Sequence, residues 1–176
     1  NVLKLGLSGS LFGLDRGDVL ADGLRSIRIP VYLGKESGVE NTIYASEDLE
    51  IFPWLKLNAG VRLTLYNPLG PSEVLKYYSD GPKDLRYIED TLVFKKNQPV
   101  KSYFEPDIRL TFNIRTDEDG NVKLAFIQTH QNLFILNNTI ALSPNAQWKL
   151  ADYHIRPARG NQISAGVFRT FPDKSW

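Results

Sequence analysis

Residues 54–66 read WLKLNAGVRLTLY, a two-residue alternation that runs without a break. Leu55, Leu57, Ala59, Val61, Leu63 and Leu65 fall on one face of a strand, and Lys56, Asn58, Gly60, Arg62, Thr64 and Tyr66 on the other. One face suits hydrocarbon and the other water. A strand that crosses a bilayer needs about 9 to 11 tilted residues of this kind, with an aromatic residue at each interface. Trp54 and Tyr66 stand at those two ends.

The same alternation recurs on either side. Residues 2–12 set Leu3, Leu5, Leu7 and Leu11 against Lys4, Gly6, Ser8 and Ser10. Residues 13 to about 40 are polar and rich in Gly and Asp, with one apolar piece, IRIPVYL, that Pro30 confines to an edge or loop. Residues 41–52 place Ile43, Ala45, Leu49 and Ile51 opposite Tyr44, Ser46, Asp48 and Glu50, with Glu47 intruding on the apolar side. Pro53 removes a donor and ends that ladder, which predicts a tight hairpin into residues 54–66.

From 67 to 102 the pattern dissolves into NPLGPSEV, YYSDGPKD and KKNQPV, a second long loop. Residues 103–114 alternate again, with Ile108, Leu110, Phe112 and Ile114 against Asp107, Arg109, Thr111 and Asn113. RTDEDGN follows, where Asp-Gly is expected to supply a positive φ for a turn into a strand from 122 to about 134. A third long connection, 135–160, leads to a last strand, 161–171, with Ile163, Ala165 and Val167 on one face, and Phe171-Pro172-Asp173 suggests another short turn. Six antiparallel strands joined alternately by short and long connections are the pattern of an up-and-down barrel with short turns at one rim and long loops at the other. Neither helices nor solenoid repeats are expected.

The chain has 176 residues, a formal charge of +1, and neither Cys nor Met. That charge gives no electrostatic reason to expect nucleic acid as a partner, and without cysteine there is no disulfide and no thiolate metal site. No apolar run reaches the roughly 18 residues of a membrane helix, and NVLKLGLSGS lacks the pattern of a signal peptide. A chain that opens in mid-strand on Asn1, lacks Met and ends on FPDKSW reads as an internal section of a longer protein.

The order of these motifs resembles the barrel of TonB-dependent receptors, in particular the plug-and-barrel transporters common in Bacteroidetes outer membranes. The likeness rests on IYASEDLEIFPWLKLNAGVRLTLY, on YFEPDIRLTFNI with Glu105-Pro106 and Arg109, and on VKLAFIQTHQNLFIL with Gln131. It continues through Pro144, Trp148 and Pro157 into NQISAGVFRTF with Gln162, Gly166 and Phe171. The departures are a missing plug domain, TonB box and signal peptide, and six strands cannot close a barrel of about 22. The resemblance implies an outer-membrane location and part of a large transmembrane β-barrel that serves uptake of a nutrient such as a glycan, peptide or metal chelate. It implies coupling to TonB through a plug absent from this chain, a SusD-like surface lipoprotein as a companion, contact with lipid, no cofactor and no catalysis.

The same resemblance implies ligand contacts near the outer strand ends, where Tyr66, Tyr103, Gln131 and Asn132 are the candidates; aromatic and amide groups stack on and hydrogen-bond solutes. The bland reading makes the tyrosines an interfacial girdle and the amides a hydrated wall. Arg62 and Arg109 are expected to face the lumen with Asp48, Glu50 and Asp107 as partners, either touching a plug or an anionic solute or forming a charge ladder on a wet wall. Asp117, Asp119 and Asn121 are spaced like the first ligands of a calcium loop, but the glycine comes one place early and no closing Glu follows, so a hairpin turn is favoured. His130 and His154 are too isolated in sequence to define a metal site. No serine sits in a nucleophile elbow, the sequon at Asn137 carries little meaning for a bacterial protein, and Glu105 with Asp107 share a face as an acid and base pair or as two wall residues. The rival architecture is a soluble all-β binding module, a sandwich or small barrel, with its apolar faces packed on each other; a third is an outer-membrane barrel enzyme.

Overall fold

The computed structural model describes residues 1–20, 27, 29–78, 81–136 and 147–171. Pro144, the Asn137 sequon and the expected turn at Pro172-Asp173 lie outside them. The described chain is all-β, with one single-turn 3-10 helix at Leu85–Tyr87. Its strands are β1 (Val2–Asp15), β2 (Asp18–Val19), β3 (Val31–Tyr32), β4 (Lys35–Phe52), β5 (Leu55–Leu69), β6 (Ser72–Tyr77), β7 (Ile88–Phe94), β8 (Tyr103–Arg115), β9 (Gly120–Gln131), β10 (Leu133–Leu136), β11 (Gln147–Leu150) and β12 (Ala158–Arg169).

Six of them form one antiparallel sheet in the order β1-β4-β5-β8-β9-β12, so neighbours in the sheet are neighbours in the chain among the long strands. Among the described residues the sheet is open: β1 pairs only with β4, and β12 only with β9. Short turns join β4 to β5 and β8 to β9 at one end, and the three long connections leave from the other. Each long connection carries a hairpin of its own, β2–β3, β6–β7 and β10–β11, where the sequence suggested plain loops. The first long connection is also shorter than expected, because β1 and β4 stay paired from Val2↔Asp48 up to Asp15↔Lys35.

Pairing keeps every apolar row in phase. Leu7 lies beside Ile43, Ile43 beside Leu63, Val61 beside Ile108, Leu110 beside Phe126 and Phe126 beside Ile163. Because side chains alternate, a one-residue slip would put a polar side chain into this face, so the pattern excludes odd-numbered slips in register. On the opposite face Thr42 and Thr64 pair directly, their hydroxyls 3.1 Å apart and buried, and the Tyr44 ring lies over Gly6, where a Cβ would come within 2.2 Å of it.

The hairpin at Pro53-Trp54 is as tight as expected; a register shift between Glu50 and Phe52 precedes it, Phe52 and Trp54 stack at 5.4 Å, and the Arg115 N–H donates to Trp54 O at 2.8 Å. The second turn works differently from its sequence reading. Gly120 does not adopt a positive φ. It is needed because Thr116 Oγ1 and Asp117 Oδ1 would lie 2.4 and 2.7 Å from a Cβ, while the Asp119 N–H donates to Asp117 at 3.0 Å. Asp117 therefore organises a turn.

Candidate functional site

The two faces of the sheet differ in what covers them. On the apolar face Leu3, Leu5, Leu7, Leu11, Ile43, Phe104, Ile163 and Val167 are more than half exposed, Leu7 82% and Ile163 84%. Among the described residues no second sheet lies on them. These side chains form one apolar surface that runs from β1 across the sheet to β12, where apolar residues on a protein's exterior are ordinarily scattered singly.

On the other face, near the long-connection end, the segment running from β11 through Ile155 folds back onto the sheet. Tyr66 and Ala151 are fully buried there, with Tyr103 close behind and Phe12 and Phe134 packed around them. The Tyr66 hydroxyl donates to Ala151 O at 3.0 Å, and that of Tyr103 to Asp152 O at 2.5 Å. Their rings stack with centroids 6.5 Å apart, and the Phe12 edge meets Tyr66 at 6.2 Å. Tyr66 also lies against Gly38, where any Cβ would come within 2.9 Å of its hydroxyl.

Carboxylates complete the fastening. Glu36 accepts from Lys149 Nζ at 2.6 Å, from the Leu150 N–H at 2.8 Å and from Arg16 at 3.2 Å. Glu40 accepts from Asn132 Nδ2 at 2.7 Å, and the Asn132 carbonyl accepts from the Ala151 N–H at 2.7 Å. Asp152 meets Lys149 at 2.7 Å and accepts from the N–H groups of His154 and Ile155, both at 2.8 Å. Burial pushes its carboxyl up, but Lys149 and the two N–H groups outweigh that and hold it below the usual carboxylate range.

The ligand candidates thus fall into two groups. Tyr66, Tyr103 and Asn132 converge under the folded-back segment, with both hydroxyls and the amide nitrogen engaged; Gln131 is exposed and donates to Leu133 O at 2.5 Å. Of the charged residues, Arg62 lies on the polar face and reaches Glu40 at 3.4 Å rather than Asp48, Glu50 or Asp107. Asp48 pairs with Lys4 at 3.5 Å and Glu50 with Lys56 at 3.5 Å. Arg109 is exposed and forms no ion pair among the described residues.

Asp107 has a different partner, His130, which sequence spacing left isolated. The imidazole Nδ1 lies 2.6 Å from Asp107 Oδ1, while Nε2 lies 2.8 Å from Glu105 Oε2 without hydrogen-bond alignment. The β8–β9 register ends at Ile108↔Gln128, and beyond it the imidazole is almost wholly buried between the two carboxylates. Glu105 and Asp107 are thereby brought together on one histidine. His154 instead packs against Tyr77 and Tyr153 and donates from Nε2 to Leu75 O at 3.0 Å. Among the described residues no three His, Cys, Asp or Glu side chains are grouped to hold a metal ion.

Between the β6–β7 hairpin and the folded-back segment lies a cleft of about 390 Å³, bounded by Pro68, Val74, Leu75, Tyr77, Leu150 and Tyr153 among others. Its size and mostly apolar lining with a few charged groups are those of small-molecule sites. In comparison with known proteins, no family model, no curated protein and no solved structure matches the chain.

Proposed function

We propose that this sheet is a section of the wall of a large outer-membrane β-barrel of the TonB-dependent receptor kind, taking part in nutrient uptake. The observation that carries the reading is the uncovered apolar face, in register across six antiparallel strands whose opposite face bears Lys4, Tyr44, Arg62, Arg109 and the Thr42–Thr64 pair. A lipid-facing wall needs one apolar and one polar side per strand. Two further features support it. The long connections all leave from one end, and both sheet edges are unpaired among the described residues, as they are when more strands are needed to close a barrel. In this reading TonB acts through a plug outside this chain, a SusD-like lipoprotein covers the long-connection end, and the solute meets the wall there, near Gln131 and the cleft.

The alternative, a soluble all-β binding module, requires a second sheet about 10 Å from the leucine rows, and no described residue covers them.

Because the chain has no cysteine, single Cys probes at positions 7 and 8 decide between the two in lipid-reconstituted protein. A spin label at Leu7→Cys is expected to collide with oxygen dissolved in lipid and to be shielded from a water-soluble nickel chelate, with the reverse at Ser8→Cys. Equal access of the nickel chelate to both would remove the membrane reading.

A further inference from the structure

We infer that the cleft beside β6 takes a short extended peptide bearing a cationic side chain, which adds as a strand to the free edge of β6. β6 pairs only with β7, so its other edge has no strand partner among the described residues. Hydrogen bonding fixes which backbone groups lie on that edge. Gly70 exchanges bonds with Gln98 and Asn97, and the Tyr78 N–H donates to Tyr87 O, so even-numbered residues bond towards β7. Glu73 and Leu75 therefore turn their N–H and C=O groups the other way. Leu75 O is already engaged from that side by His154 Nε2 at 3.0 Å.

Glu73 and Leu75 both border the cleft. An unpaired edge inside a concave site is the arrangement that captures an extended chain through main-chain hydrogen bonds, with side chains read by flanking pockets. Glu73 offers both its N–H and its C=O, and Leu75 its N–H, enough to pair with about three residues at the strand rise of about 3.3 Å. Val74, Leu150 and the Tyr77 and Tyr153 rings line the space for aliphatic side chains.

Charge selects among peptides. The two lysines that border the cleft are already paired, Lys35 with Asp15 at 3.2 Å and Lys149 with Glu36 and Asp152. The hairpin's own ion pair joins Lys76 to Glu89 at 3.0 Å, and Glu73 has no cationic partner among the described residues. The unneutralised charge at the edge is a carboxylate, complementary to a lysine or arginine on the peptide. The inference does not depend on the membrane reading, since the cleft is built from the connections and not from the leucine face.

The test is a fluorescence-anisotropy titration of the full chain in detergent with dye-labelled acetyl-Lys-Val-Val-amide. Saturable binding is expected. Methylating the lysine and both valine backbone nitrogens, which removes the N–H donor of every residue, should weaken it at least about tenfold. Glu73→Ala and Glu73→Pro both lose the carboxylate, but only the second loses the N–H, which has no role in the hairpin; Glu73→Pro should bind at least about tenfold more weakly than Glu73→Ala. Replacing the peptide's Lys by Glu should weaken binding several-fold to the unaltered chain and leave it unchanged for Glu73→Ala. No saturation at millimolar peptide, or equal binding of the methylated peptide to the unaltered chain, would overturn the proposal even if Glu73→Pro failed to fold.

Discussion

Leu65 and Tyr66 are neighbours in β5, yet the residue with no polar atom is 41% exposed while the one carrying a hydroxyl is buried completely. The difference belongs to the two faces of the sheet. On Leu65's side nothing from the described chain covers the rows of Leu, Ile and Val. On Tyr66's side rings, carboxylates and a folded-back segment make the one buried cluster of hydrophobic residues among the described residues, and both tyrosine hydroxyls in it have acceptors. A water-soluble sheet puts its apolar face inside. Here the chain's own packing sits on the polar face, and the apolar face is left to its surroundings.

Four comparisons probe that asymmetry. Tyr66→Ala should cost about 3–5 kcal/mol, since it empties the space over Gly38, strips Phe12 of its partner and frees Ala151 O; Leu65→Ala should stay within about 0.5 kcal/mol. Urea midpoints of the two variants in lipid compare them, and equal losses would erase the contrast. Next, Leu7→Arg should cost about 2–4 kcal/mol in a bilayer and Ser8→Arg little, read from the same titration; a small loss at Leu7 would mean that its face meets water.

Tyr66→Phe keeps the ring and removes one donor to a buried carbonyl, for an expected loss of about 1–2 kcal/mol. It should also speed amide exchange at Ala151. The smallest effect is acidic. The Asp152 carboxyl is depressed in the folded state, so its contribution is complete above its unfolded value of about 3.9 and disappears as pH falls through the lower folded value. Exchange at the His154 and Ile155 amides, corrected for intrinsic rates, should therefore rise below about pH 4 and lose that dependence in Asp152→Asn.

The six long strands were legible because alternation is a local property, and the short turns were legible from Pro53 and from RTDEDGN. What escaped depends on partners distant in sequence. β4 begins at Lys35 because Glu36 is held by Arg16 and Lys149 and because Gly38 lies under Tyr66, contacts that no window around residue 35 contains. The β6–β7 hairpin had a signal in SEVLKY and IEDTLVF, short runs with strand-favouring Val, Ile, Thr, Tyr and Phe but no alternation, masked by the prolines and glycines around them. Tyr66, Tyr103 and Asn132 could be singled out by position near the strand ends, but not their engagement by residues 149–152, which read as part of the third long connection. His130 was isolated only in sequence; Glu105 and Asp107 reach it across the β8–β9 pair.

Tyr44 stands directly across from Gly6 and occupies the room a side chain would take. A slip of β1 against β4 by two residues would keep every leucine on its own face, so hydrophobicity cannot detect it. It would, however, slide Lys4 or Ser8 beneath the ring and force the tyrosine upright. The missing side chain acts as a gauge notch: of all the alignments that satisfy the oil and water pattern, it admits one, and so sets how far each strand end projects beyond its neighbour.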